Sequence, residues 1–144
     1  MKPKTKISGK HIYSFTDTKD FEIVDVDGHV ISLRKAEGVN KSSGEAGFLN
    51  DARMINISFD DLVNGNGPHN GYTNMEKDGD KGVSKWQGEI KTKMQDGKPV
   101  NTFEGTFSFI AGSGAMEKVV GSGGTYKGYF TSETSYEVDW EGEF

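Results

Sequence analysis

Two side chains near the start of the chain, His11 and Tyr13, have the chemistry to handle a proton. In an extended segment they lie on the same face as Phe15, because side chains alternate between the two faces of a strand. A histidine titrates near neutral pH, so it can move a proton if its surroundings are wet. In an apolar face it is more often a hydrogen-bonded core residue. His11 and Tyr13 are therefore the weak candidates for catalysis.

Other familiar reaction centres lack their residues in this sequence. The chain has no cysteine, which excludes a thiolate nucleophile, a disulfide framework and a zinc finger. The histidines at positions 11, 29 and 69 do not have the spacing of a metal motif, and no serine lies in a Gly-x-Ser-x-Gly elbow. The glycine-rich segments 112–114 and 121–124 fit neither the dinucleotide pattern nor a P-loop. We therefore predict no metal and no cofactor.

Aromatic side chains fall on the apolar faces of five different strand-like segments, and most of them must form the core. An eight-stranded barrel has room for packed side chains or for one small ligand, and rings with a polar atom suit a pocket for a flat, apolar molecule. Arg53 shares a face with Ile57 and Phe59, so we expect it at the rim or beside a buried carboxylate. The predicted ligand-binding residues are Tyr13, Phe15, Arg53, Trp86, Phe107, Tyr136 and Trp140.

The elements that must position these residues are β-strands. Alternation of apolar and polar residues runs along most of the chain and is cleanest over 135–144, where one face is aromatic and the other acidic. Asp27-Gly28, Asp78-Gly79 and Asp96-Gly97 are turn signals between such segments. About eight or nine strands with one apolar face each can avoid exposed edges by closing. We predict an all-β fold, a single antiparallel up-and-down barrel of about eight strands.

Some details of this barrel are also predicted. A strand containing Phe15 and a separate strand over Phe21–Val26 are expected near the start of the chain. Two connections look longer than tight turns, from Gly38 to Asp51 and from Asp60 to Gly71. Long loops of this kind carry binding or gating more often than short hairpins do, although a mobile surface loop is at least as common.

Composition indicates one domain over residues 1–144, which is long enough to bury a core. The net charge of −5 is spread along the chain, and no basic face is available to neutralise phosphates, so we predict no nucleic-acid partner. No apolar run approaches the roughly 20 residues of a membrane span. We expect a cytoplasmic protein if Met1 is the native start, and a periplasmic or secreted one if a signal peptide was removed.

The segment from Phe107 to Gly128 combines an aromatic strand, Gly112-Ser113-Gly114, Met116 and Gly121. This pattern resembles the barrel hairpin of allene oxide cyclases and plant dirigent proteins, which belong to a calycin-like barrel superfamily. The wider chain also resembles small bacterial barrel proteins that are mostly uncharacterised, through Gly71-Tyr72, Asp78-Gly79-Asp80-Lys81, Trp86 and Gly88. The resemblance covers about the last half of the chain. It implies an eight-stranded barrel with a pocket at one end, and often a homo-oligomer, but the matching hairpin carries no catalytic residue.

Three hypotheses for function follow. The first is a barrel that binds a small apolar or aromatic metabolite without catalysis, with His11 and Arg53 as polar anchors. The second is a cofactor-independent cyclase or isomerase of the allene oxide cyclase-like type, in which His11 or Tyr13 moves the proton and positioning supplies much of the effect. The third is a structural or oligomeric barrel without a ligand.

Overall fold

The chain folds into a closed barrel of eight antiparallel strands, which confirms the predicted fold. The computed structural model describes residues 4–43 and 47–144, and in that part of the chain no helix is long and apolar enough to cross a membrane. Each strand pairs with the next, and the first pairs with the last. The strands are β1 (Lys6–Ile23), β2 (His29–Ser42), β3 (Arg53–Val63), β4 (Gly67–Lys77), β5 (Asp80–Gln95), β6 (Lys98–Gly112), β7 (Gly123–Phe130) and β8 (Ser135–Glu143), with a 3₁₀-helix at Gly114–Val119.

The first strand is longer than the sequence indicates. We predict a separate strand over Phe21–Val26, whereas β1 continues without interruption to Ile23. The register against β2 shifts between Phe15 and Asp17, which marks a β-bulge. A bulge adds one unpaired residue, so it changes the phase of the alternation without ending the strand. This is why alternation alone divides β1 in two.

The predicted long loop from Asp60 to Gly71 is wrong, because a tight hairpin joins β3 to β4. Asn64 and Gly65 have φ values of 51° and 78°, and the backbones of Val63 and Asn66 are hydrogen-bonded to each other. Two successive positive φ values are typical of a type I′ turn, for which Asn-Gly is a favoured sequence. The polar residues after this turn belong to β4 and not to a loop.

The connections from β2 to β3 and from β6 to β7 fill one end of the barrel, which we call the plugged end. β2 extends to Ser42, so the predicted loop from Gly38 to Asp51 begins later than expected, and its residues 44–46 lie outside the described part of the chain. The two connections place buried side chains over this end, namely Leu49, Ala52, Met116 and Val119. The opposite end, where the turns at 24–28, 64–66, 96–97 and 131–134 lie, is called the turn end.

Glycines make room for large rings inside the barrel. Rings lie opposite glycines of the neighbouring strand in the pairs Tyr13–Gly38, Trp86–Gly71, Phe103–Gly128 and Trp140–Gly9. A Cβ atom at position 128 would lie 2.1 Å from Cζ of Phe103, and one at position 71 would lie 2.5 Å from Cζ2 of Trp86. Such distances are too short for two atoms that are not bonded to each other, so each ring occupies the space that a side chain on the next strand would need.

β3 turns its polar face to the interior, which is the reverse of the sequence interpretation. Ile57 and Phe59 are each 40% exposed, and Arg53 on the same face points outward, where its Nη2 donates to Oε1 of Glu37 at 2.9 Å. The buried side chains of this strand are Met54, Asn56, Ser58 and Asp60. The physical reason is that rings from other strands carry polar atoms, and these need hydrogen-bond partners inside the barrel.

We expect Gly128→Ala to lower the free energy of unfolding by about 1–3 kcal/mol, because Phe103 must leave its position to admit the methyl group. Urea denaturation followed by circular dichroism measures this change. The neighbouring exposed substitution Lys127→Ala is the control and should change stability little. If Gly128→Ala is as stable as the original protein, the position of the Phe103 ring does not require a glycine at position 128.

Candidate functional site

The interior of the barrel contains a cavity with mainly aromatic walls. The space between atoms is about 770 Å³ when the part that joins the solvent is included, and the centre of a water molecule can move through about 80 Å³ of it. One water needs about 10–15 Å³ on the second measure, so the cavity has room for several water molecules. Its walls include Tyr13, Trp86, Phe103, Tyr126, Tyr136 and Trp140. Trp86 and Trp140 are the only tryptophans of the chain.

The structure brings most of the predicted binding residues to this cavity from four different strands. Those that line it are Tyr13, Phe15, Trp86, Phe107, Tyr136 and Trp140. Arg53 does not line it, since its side chain is 64% exposed on the outer surface. Arg53 meets the carboxylate of Glu37 on the outer surface, and it lies away from this cavity because β3 presents its other face to the interior.

His11 and Tyr13 lie side by side in the cavity wall. The Nδ1 atom of His11 and the hydroxyl oxygen of Tyr13 are 3.1 Å apart and share a hydrogen bond. Burial lowers the pKa of His11 to about 3 and raises the pKa of Tyr13 well above its ordinary value. Both groups are therefore uncharged at neutral pH. His11 is a weak base there and Tyr13 a weak acid, so the pair is poorly matched to proton transfer at neutral pH.

Asn56 connects four strands through hydrogen bonds in the middle of the barrel. Its Oδ1 accepts from Nε1 of Trp86 at 2.9 Å and from Oγ1 of Thr73 at 3.1 Å. Its Nδ2 donates to the hydroxyl of Tyr136 at 2.8 Å. A buried indole or hydroxyl without a partner is costly, and one amide satisfies three such groups here. Asn56 thereby fixes the orientation of two rings that face the cavity.

Asn40 performs the same task nearer the plugged end. Its Oδ1 accepts from Nε1 of Trp140 at 2.8 Å, and its Nδ2 donates to the backbone carbonyl of Leu49 at 3.0 Å. Asn40 is fully buried. One amide therefore links a cavity wall to the plug, and each tryptophan of the chain donates its indole hydrogen to a buried asparagine.

Asp60 and Arg34 form a charged pair toward the turn end. Asp60 lines the cavity and is 3% exposed, and Nε of Arg34 is buried without a hydrogen-bond partner. Nε of Arg34 lies 3.7 Å from Oδ2 of Asp60, which is beyond hydrogen-bond distance. Burial raises the pKa of Asp60 to about 6; the charge of Arg34 opposes this shift and the charge of Asp20 adds to it. The buried carboxylate is thus poorly satisfied.

His69 lies opposite Asp60 in the register of β3 and β4 and also lines the cavity. Its Nε2 and the hydroxyl of Tyr126 are 2.8 Å apart, and its ring contacts Trp86 edge to face with centroids 4.8 Å apart. Burial lowers the pKa of His69 to about 4, so the imidazole is uncharged at neutral pH. The carboxylate of Asp60 therefore has a neutral neighbour and gains no second positive charge.

Sequence reasoning missed Asn56, Asp60, His69 and Arg34. The first two alternate with Ile55, Ile57 and Phe59, so the period was visible but the polar face was interpreted as solvent-exposed. His69 follows the Asn-Gly turn, and recognising that turn would have placed it in a strand. Arg34 shares a face with Ala36 in β2, but no sequence signal distinguishes an arginine on this inner face from a surface one.

No protein-family model matches the chain, and no curated protein matches it. Within residues 4–43 and 47–144, no group of three or more histidine and acidic side chains is placed to hold a metal ion. The chemistry of the site is therefore inferred from the cavity itself.

We expect Asn56→Leu to lower the free energy of unfolding by about 3 kcal/mol or more, because three buried polar groups lose their partner. Chemical denaturation monitored by tryptophan fluorescence tests this, and the emission of Trp86 should also change. Asn74→Leu makes the same replacement on the exposed face of β4, and it should change the free energy of unfolding little. Equal stability of the two variants would mean that Asn56 is not needed to satisfy these groups.

We expect Asp60→Asn to stabilise the protein by about 1–3 kcal/mol at about pH 8, since the variant buries no carboxylate. The folded protein holds the Asp60 proton more tightly than the unfolded chain. The free energy of unfolding of the original protein therefore falls as the pH rises from about 4 to about 6, and it stays lower above that range. The gain should vanish near pH 4. Thermal unfolding across this range measures it, with exposed Asp27→Asn as control. Destabilisation at about pH 8 would show that Arg34 outweighs the cost of burial.

Proposed function

We propose that this protein binds a small apolar or aromatic molecule inside its barrel. The observation that carries the proposal is the cavity, whose walls combine both tryptophans with tyrosine and phenylalanine rings from several strands. A fully packed barrel of eight strands would leave no such space. Flat rings give a guest large apolar contacts at a low cost in side-chain entropy, because they are held in place before binding.

Preorganisation supports this proposal. Asn56 and Asn40 hold the two indole rings, and the ring of Tyr136 stacks on Tyr13 with centroids 4.9 Å apart. A wall that is already ordered loses little freedom when a ligand enters. At the turn end, the half-buried rings of Phe15 and Phe130 stack 6.3 Å apart, and we infer that the guest enters beside them.

The cavity supports a binding function better than a catalytic one in which His11 or Tyr13 transfers the proton. Burial has moved the pKa of each away from neutrality, in the direction that weakens it as a proton donor or acceptor. A cyclase or isomerase of the allene oxide cyclase-like type would need another group for proton transfer. The relationship to the calycin-like superfamily remains a proposal that rests on the hairpin from Phe107 to Gly128, as does a homo-oligomeric state.

We expect the fluorescent probe N-phenyl-1-naphthylamine to bind the protein and to receive excitation energy from the tryptophans, because both line the cavity. Ser84→Phe places a ring in the same space and should lower the affinity at least about tenfold. Titration with the probe, with excitation of tryptophan, measures both effects. Ser108→Phe adds the same ring on the exposed face of β6 and serves as the control.

Circular dichroism and thermal unfolding establish that each variant is folded before its titration is compared. A wild-type protein that neither binds the probe nor shows energy transfer would overturn the proposal and favour a barrel without a ligand. Binding that survives Ser84→Phe but is lost in Ser108→Phe would place the site on the outer surface instead.

A further inference from the structure

Asp60 lines the cavity, and Arg34, which is not itself a lining residue, lies beside Asp60 and over the ring of Phe15. Asp60 is almost completely buried, with 3% of its surface exposed. Nε of Arg34 is also buried without a partner, and 3.7 Å separates it from the nearest carboxylate oxygen of Asp60. The pair resembles two half-satisfied groups rather than a closed salt bridge, and each such group is costly to bury.

The guanidinium group of Arg34 is held in place against the cavity wall. Its Cζ lies 5.1 Å from the centroid of the Phe15 ring, and Phe15 lines the cavity. The Arg34 side chain is 23% exposed, so part of it can be reached from the cavity or the solvent. A ligand whose polar end extends past the ring of Phe15 would come close to both the guanidinium group of Arg34 and the carboxylate of Asp60.

Charge decides which polar group fits between them. The charges of Arg34 and Asp20 both act on the carboxylate of Asp60, and the adjacent His69 is uncharged at neutral pH. A ligand carboxylate would be repelled by both acids, and a ligand amine would be repelled by Arg34. A neutral group that accepts from Arg34 and donates to Asp60 satisfies both residues without a new buried charge.

We propose that the ligand is a neutral, ring-bearing or unsaturated molecule whose polar end places a hydrogen-bond acceptor beside a donor, such as a primary amide or a hydroxyl group next to a carbonyl. The carbonyl oxygen accepts from the guanidinium of Arg34, and the N–H or O–H donates to the carboxylate of Asp60. This inference rests on the proposed binding function and specifies the chemical class of its ligand.

Displacement of N-phenyl-1-naphthylamine by four naphthalene compounds tests the proposal. The compounds are naphthalene, 2-naphthamide, 2-naphthoate and 2-naphthylmethylamine, which differ only in the polar group. We expect 2-naphthamide to displace the probe at a concentration at least about tenfold lower than naphthalene, because it gains hydrogen bonds to charged groups. The anion and the cation should gain no such advantage.

Variants then assign the preference to the two residues. In Asp60→Leu and in Arg34→Met, the advantage of 2-naphthamide over naphthalene should fall to about twofold or less, while naphthalene itself still competes. Arg53→Met removes an exposed arginine of the neighbouring strand and should keep the full advantage. If a variant does not fold, the ranking of the four compounds on the original protein still decides.

The outcomes separate this inference from the proposed function. Equal competition by naphthalene and 2-naphthamide overturns the donor–acceptor pairing but leaves an apolar binding site intact. Strongest competition by 2-naphthoate or by 2-naphthylmethylamine also overturns it, and would identify Arg34 or Asp60, respectively, as a site for a charged ligand. If the original protein does not bind the probe at all, the proposed function fails, and this inference fails with it.

Discussion

The hydrogen bonds of Asn56 are the interaction on which the interior of this barrel depends. Indole and phenol rings can enclose a cavity only if their polar atoms find partners away from water. The amide of Asn56 provides partners for Trp86, Tyr136 and Thr73, which come from three other strands. This requirement explains why β3 turns a polar face inward and leaves Ile57 and Phe59 at the outer surface. The arrangement of the cavity walls and the orientation of β3 have one common cause.

The same interior contains groups that do not favour stability. Asp60 is buried beside an arginine that it does not reach, and its carboxyl pKa is raised to about 6. Proteins commonly retain such unfavourable groups where a ligand is bound. Asn56 and Asn40 are satisfied within the protein, whereas Asp60 and Arg34 are not. The barrel therefore separates into a self-contained scaffold around the two asparagines and a region toward the turn end that contains the buried charged pair.

The barrel was predictable because it depends on period-two alternation, on turn signals and on the avoidance of sheet edges. The ring-bearing walls were predictable for the same reason, since Trp86, Tyr136 and Trp140 alternate with charged residues. The face of β3 that points inward was not predictable. Its residues alternate between two regular faces, and the local pattern cannot tell which face meets the rings of distant strands. The bulge after Phe15 was hidden likewise, since one extra residue changes the phase of the pattern but not its composition.

The pairing of rings with glycines has a consequence for how this pocket can be reshaped. In a pair such as Phe103 and Gly128, the two positions share one volume between adjacent strands. Exchanging the members would move the aromatic group sideways by one strand spacing, about 4.8 Å, while conserving the total bulk enclosed. A pair of compensating substitutions can thus relocate a wall where either one alone would clash or leave a void. Laboratory evolution that changes codons one at a time would seldom reach such rearranged pockets.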